Sequence, residues 1–246
     1  MHRRKNYAGL FILEADNSFY LPRNLAKAVV RSALVMLSFG AEVNMRTFLC
    51  IPIDAPLREA LSNLSGELRS LVRVRASWVK AENFHVTLRF LGEIDPMLTI
   101  ELQQLCRVVT KRIRPFNLSI DRLGMFPSPE RPRVLWAGGE APSTFLDLAS
   151  FLNHELVKIG FSKERKPAIS HITLARIKGR ADQSIGEAIS SLGRLPGWTL
   201  HADRLMLMES RLSSHGAAYT PLFTQRFGDA AARGTDAGGR VNDHAI

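Results

Sequence analysis

The 246-residue chain has only two cysteines, Cys50 and Cys106, too few for a disulfide framework or a four-cysteine zinc site. It has no apolar run of the roughly 18–20 residues that a membrane-spanning helix needs; the best candidate, Ala33–Gly40, is far too short. A secretory leader is not expected either. Arg3, Arg4 and Lys5 make a basic start, but the apolar run Ala8–Leu13 is cut off by Glu14 and Asp16. There is no GxGxxG, no Walker loop and no CxxC pair, which removes support for dinucleotide, P-loop and zinc-ribbon readings. With 46% apolar and 23% charged residues, the expectation is a globular, cytoplasmic protein with no membrane partner. The length allows one large domain or two small lobes sharing an interface.

What the chain does have is positive charge. Lysine and arginine total 33 against 23 acids, and residues 45–227 alone hold 25 of the bases and 17 of the acids. Most of the +10 excess therefore belongs to the central segment and not to a tail. A field of that sign favours polyanionic partners, nucleic acid first.

Periodicity divides the chain into three parts. Residues 1–44 show only a weak helical face at Leu25, Val29, Leu34 and Leu37. From Gly228 onward the Gly/Ala/Asp-rich tail has no apolar period and is expected to be disordered. Between them, residues 45–227 read as one folded domain. Arg46–Ile53 is a strand. Asp54 caps a helix carrying Leu57, Leu61, Leu64, Leu68 and Leu71. Arg75–Lys80 and Phe84–Leu91 read as two strands joined by the turn Ala81–Asn83. Asp95-Pro96 opens a helix with the stripe Leu98, Leu102, Leu105, Val109 and Ile113. Phe116–Leu123 and Arg133–Ala137 flank a proline-rich loop, Gly124–Pro132. Phe145–Ile159 is a third helix, closed at Gly160. His171–Ile177 is a strand, Ser184–Leu192 a helix, and Trp198–His201, Arg204–Glu209 and Tyr219–Phe227 are strands. Strands joined by short turns are antiparallel signals, so the expected class is α+β, with antiparallel sheet, rather than a doubly wound parallel sheet.

Two segments repeat one another: His85-Val86-Thr87-Leu88 and His171-Ile172-Thr173-Leu174. With 7 histidines and 10 threonines in 246 residues, chance expects about 0.3 His-x-Thr triplets, and both of these copies share a β-branched middle residue and a following leucine. An arginine follows each, Arg89 and Arg176. Matched copies 86 residues apart suggest duplicated lobes. On a strand, alternate side chains share a face, so each copy presents an imidazole and a hydroxyl together with apolar residues behind. Two such strands facing one another cradle a phosphate: hydroxyls donate to its oxygens, and imidazoles with ordinary pKa near 6.5 act as base and acid. By alternation Arg89 shares the face of His85 and Thr87, whereas Arg176 falls on the opposite face unless the strand bulges. His2, His154, His201, His215 and His244 have no repeated context and receive no role.

These residues resemble the 2H phosphoesterase superfamily, in particular its bacterial and archaeal RNA 2′,3′-cyclic phosphodiesterase branch, also called 2′-5′ RNA ligase. The resemblance covers residues 45–227 and runs through RTFLCIPI, SWVKAENFHVTLRFLGEI, MFPSPERPRVLWAG, SHITLARIKG and MESRLSSHGAAYTPL. It implies two pseudo-symmetric lobes of antiparallel sheet with helices outside and an active-site cleft between them. It implies hydrolysis of RNA 2′,3′-cyclic phosphate ends to 2′-phosphates, with reversible 2′-5′ ligation beside it and with no cofactor or metal; a monomer is expected. His171 is then the base, His85 the acid, and Thr87 and Thr173 the phosphate ligands. The chain departs from the family at Ala168 and Ser170, where an aromatic and a proline are common. The resemblance also places the first strand directly after an initiating methionine, so translation is expected to start at Met45, with residues 1–44 dispensable. Two other readings compete. An RNA-binding module without turnover would use the basic field, Arg131, Arg133 and Phe126 as clamp and stacking surface. A metal site built on His85 and His171 lacks a repeated carboxylate or thiolate.

Overall fold

The strand beginning at Met45 shows why a sheet forms here: Leu49 and Ile51 are fully buried in the main core, while Phe48, Cys50 and Pro52 point the other way. The computed structural model describes residues 44–213 and 216–228. The weak helical face at Leu25–Leu37, the expected dispensability of residues 1–44 and the expected disorder of the tail fall on residues outside that range.

The chain runs from β1 (Met45–Pro52) into α1 (Ala55–Leu71), capped by the Asp54 carboxylate, which accepts from Leu57 N at 2.9 Å. Then come β2 (Ala76–Trp78), a 3₁₀ turn (Ala81–Asn83) and β3 (His85–Ile94). Next are α2 (Leu98–Thr110), β4 (Phe116–Ile120), β5 (Arg122–Phe126) and β6 (Val134–Gly138). The last elements are α3 (Ser143–Lys158), β7 (His171–Ile177), α4 (Ser184–Leu192), β8 (Trp198–Ala202), β9 (Arg204–Ser213) and β10 (Gly216–Arg226). All strand pairs are antiparallel, and the class is α+β as expected. The main sheet has the order β10-β9-β1-β3-β7-β6-β5, with β2 also on β7; β4 and β8 form a separate pair. Helix residues Leu61, Leu68, Leu102, Phe145, Leu148 and Leu152 join Leu49, Ile51, Val86, Leu135 and Ile172 in one core.

Two local expectations are corrected. Arg75–Lys80 and Phe84–Leu91 are not partners: β2 pairs with β7, at Ala76–Ile177. The 3₁₀ turn instead carries the chain from one stretch of the β7 edge to the next. Phe116–Leu123 is not one strand, because the chain breaks at Asp121: β4 turns to β8, and β5 pairs with β6. The hairpin loop accordingly spans residues 127–133.

The sheet is two half-sheets meeting at one point. β3 and β7 share a single Cα pair, Val86–Ile172. Those two residues occupy the same place in the repeated motif, so an antiparallel pair between them relates the copies by a local two-fold axis. This is the pair of pseudo-symmetric lobes expected from the repeat.

Candidate active site

Antiparallel pairing at Val86–Ile172 decides which way the motifs face. Val86 and Ile172 are both fully buried in the core, so the residues on either side of each, His85, Thr87, His171 and Thr173, point to the opposite face of the sheet. The structure therefore brings all four sequence-identified residues onto one surface, at the junction of the lobes.

The imidazoles are held alike. His85 Nδ1 lies 2.7 Å from the Asn83 carbonyl, and His171 Nδ1 lies 2.9 Å from the Ile169 carbonyl. A carbonyl only accepts, so in each neutral ring Nδ1 carries the proton and Nε2 carries the lone pair. At His85 that lone pair accepts the Thr87 hydroxyl, 2.9 Å away. Asn83 is itself fastened, donating from Nδ2 to the Ala217 carbonyl of β10 at 2.7 Å. Each ring also stands among aromatics. Phe48 and Tyr219 lie 4.8 and 5.4 Å from His85, centre to centre, and Phe126 and Trp136 lie 4.9 and 6.2 Å from His171.

This packing sets the electrostatics. Burial pushes the His85 pKa down to about 4, with smaller downward contributions from the charges of His171 and Arg176, against an upward pull from the Asn83 carbonyl. His171 is lowered too, again chiefly by burial. Both rings are thus neutral at pH 7 in the free protein, with pKa values below the ordinary one near 6.5 that the sequence alone assigns them. Cys50 lines a small pocket beside His85 with Phe48, Met206, Met208 and Tyr219. Its thiol is pushed up to about 12 by burial, which makes it a poor nucleophile. Among the described residues, no group of three or more His, Cys, Asp or Glu is arranged to hold a metal ion.

The motif arginines exchange places relative to simple alternation, because both strands bulge at the same motif position. In β3 the register passes from Cys50–Thr87 to Leu49–Arg89, leaving Leu88 as the extra residue. In β7 it passes from Trp136–Thr173 to Leu135–Ala175, leaving Leu174 extra. After each bulge the faces invert. Arg89 moves to the side of buried Leu49, where it pairs with Glu164 at 2.8 Å and donates to the Ser162 carbonyl. It is not on the histidine face, contrary to the alternation argument. Arg176 moves onto that face, exposed and close enough for its charge to act on His85, His171 and Tyr219. Its repeat counterpart is Phe90, which is 58% exposed and 6.1 Å from Phe48, ring to ring.

These placements fit one known family. A family model described as "LigT like Phosphoesterase" matches residues 51–136 and 139–219. The chain belongs to that family. The RNA 2′,3′-cyclic phosphodiesterase of Methanothermobacter thermautotrophicus is 33% identical over 181 residues, which cover 73% of this chain and 97% of the relative. The protein of the same name from Thermotoga maritima is 32% identical over 184 residues, covering 74% and 96%. The crystal structure of a Thermus thermophilus protein aligns with TM-score 0.65 and 27% identity over 75% of this chain and 98% of its own. Escherichia coli LigT, solved with 3′-AMP, aligns with TM-score 0.57 and 25% identity over the same shares.

Within this LigT-like domain the sequence reading missed Phe48, Phe90, Trp136 and Tyr219. Phe48 was legible, since it alternates with buried Leu49, whereas Trp136 and Tyr219 reach the site only through sheet order. Phe126, expected as a stacking surface, packs edge-on against His171. Arg133 donates to the Gly179 carbonyl at 2.9 Å, and Arg131 is exposed at the loop. Ser170, where the family often has proline, is buried, with its hydroxyl unpartnered among the described residues.

The reassignment of Arg89 is testable. Arg89→Ala should cost stability, by about 1–2 kcal/mol, because it removes charge-assisted bonds from a side chain only 10% exposed. Urea unfolding reads this directly. A large rise in KM for a cyclic nucleotide at unchanged stability would instead return Arg89 to the phosphate.

Proposed function

We propose that the protein hydrolyses the 2′,3′-cyclic phosphate end of RNA to a 2′-phosphate, with His171 as general base and His85 as general acid. The observation that supports this most is the matched pair of δ-protonated imidazoles with two threonine hydroxyls on one face, across a single two-fold bridge. His171 Nε2 takes a proton from water as the water oxygen attacks phosphorus. The P–O3′ bond breaks, and His85 Nε2 delivers a proton to the departing O3′. Thr87 and Thr173 donate to the non-bridging oxygens, and Arg176 balances their charge. The division of acid and base follows the family resemblance, since the local geometry is nearly symmetric.

Burial opposes a charged His85 in the free protein, so the acid form depends on the substrate. A phosphate anion beside the ring favours imidazolium and offsets the desolvation. With an RNA 5′-hydroxyl in place of water, the same steps join it to phosphorus in a 2′-5′ linkage, and by microscopic reversibility the reverse steps cleave that linkage to the cyclic phosphate. The named relatives act as RNA 2′,3′-cyclic phosphodiesterases, in keeping with this reading. A monomer needs no second copy to complete the site.

The direct test is an RNA oligonucleotide with a 2′,3′-cyclic phosphate end, incubated with and without EDTA. The expected result is a 2′-phosphate formed at equal rate in both. Loss of activity in EDTA with recovery on adding a divalent ion would replace the two-imidazole mechanism with a metal-assisted one.

A further inference from the structure

Beyond the site itself, the far end of β7 gathers unpaired positive charge from three separate stretches of sequence. Lys178 N donates to the Arg75 carbonyl at 2.8 Å, and Ile177 N donates to the Arg133 carbonyl at 2.9 Å. Arg176 stands opposite Ser77 on one side and Val134 on the other. Arg75, Arg133, Arg176, Lys178 and Arg180 therefore cluster where β2, β6 and β7 run side by side, and all five are exposed. None makes an ion pair among the described residues. The acids closest in sequence are turned to their own loops: Glu130 is held by Ser128 and Asp182 by Ser184. Like charges held together without counter-charge indicate a surface built for a polyanion.

We infer that this cluster is the track for the RNA chain behind the reacting end, so that the protein prefers single-stranded oligonucleotides over mononucleotides. At about 3.3 Å per strand residue, Lys178 lies roughly 20 Å from His171 along β7. A mononucleotide seated at the histidines cannot span that length, whereas an oligonucleotide leaving the site along β7 places successive phosphates over Arg176, then Lys178 and Arg180. Arg176 thus joins the two regions, and the charge continues without an intervening acid on β7.

The inference rests on the cyclic-phosphate reading, and the experiment separates the two. The double variant Lys178→Ala/Arg180→Ala is compared with wild type on 2′,3′-cyclic AMP and on an eight-nucleotide single-stranded RNA ending in a cyclic phosphate. Removing the same charge elsewhere, at Arg69 in α1 and Lys111 just after α2, in Arg69→Ala/Lys111→Ala, is the control. The expected result is a KM for the oligonucleotide raised tenfold or more, with the mononucleotide unaffected and the control unchanged. The slope of log affinity against log salt for the oligonucleotide should be shallower by about 1.4, for two lost phosphate contacts on a single strand. Equal effects on both substrates, no effect on either, or the same effect in the control would overturn the track. Should wild type turn over neither substrate, the reading of the site fails. The track is then still decided by fluorescence anisotropy with the eight-nucleotide RNA ending in a 3′-hydroxyl, where unchanged affinity in the double variant would refute it.

Discussion

His85→Ala and His171→Ala should each lower kcat by two to four orders of magnitude on a cyclic-phosphate substrate, the usual contribution of a positioned general acid or base. The fold should survive both changes, because the rings stand on the face opposite Val86 and Ile172 and the main core does not include them. Circular dichroism and urea unfolding check this alongside the kinetics. In the proposed mechanism the two imidazoles act in one proton relay, so the double variant should be little worse than the more severe single one. Thr87→Ala should be milder on phosphate but carries a second effect, since the Thr87 hydroxyl also donates to His85 Nε2. Thr173→Ala removes only a phosphate donor and should be the mildest of the four. Near-wild-type activity in either histidine variant would dismantle the two-imidazole site.

The pH profile should be displaced to the acid side. kcat/KM reports the protonation of the free enzyme, in which burial holds His85 near pKa 4 and also lowers His171. In the proposed mechanism the productive form needs one ring charged and the other neutral, and above the higher of the two values both are neutral. Going up in pH, kcat/KM should therefore fall about tenfold per unit, starting below the ordinary imidazole value of about 6.5. kcat reports the substrate complex, in which the phosphate anion supports the imidazolium, and its optimum should sit at higher pH. Rates from pH 4 to 9 on a cyclic mononucleotide separate the two, and a kcat/KM flat to pH 8 would contradict the burial argument. The same shift acts on stability with a definite sign. Between pH 6.5 and about 4 the unfolded chain binds a proton that folded His85 refuses, so stability falls as pH falls through that window, by roughly 3 kcal/mol at the limit.

The candidate catalytic face was legible because it depends on a period of two. His-x-Thr on a strand puts both side chains on one face whatever the sheet order, and the repeat supplied the second copy. The helices were legible for a similar reason: Leu57, Leu61, Leu64 and Leu68 mark the buried side of α1 at helical spacing. Bulges lie beyond that logic. Nothing in LRF or LAR shows that Leu88 and Leu174 drop out of register, yet that one residue decides that Arg176, and not Arg89, faces the histidines. Pairing between distant strands was equally hidden. The β2 sequence reads as a hairpin partner of β3, but it lies end to end with it along β7, and only the assembled edge shows this.

The strand order also determines when the site can exist. His85 belongs to an early strand, but one side of its pocket arrives last: Met206, Met208 and Tyr219 line it from β9 and β10, and Ala217 holds Asn83. The other half-sheet is stitched across in the same way, with early β2 lying on late β7. A nascent chain that has left the ribosome through α3 therefore carries one histidine of the pair without its walls. Such an intermediate cannot close either half-sheet on its own, and these long-range closures make slow folding the physical expectation. Activity should thus appear in a single step, only after β10 has been made, and no fragment ending before it should turn over substrate.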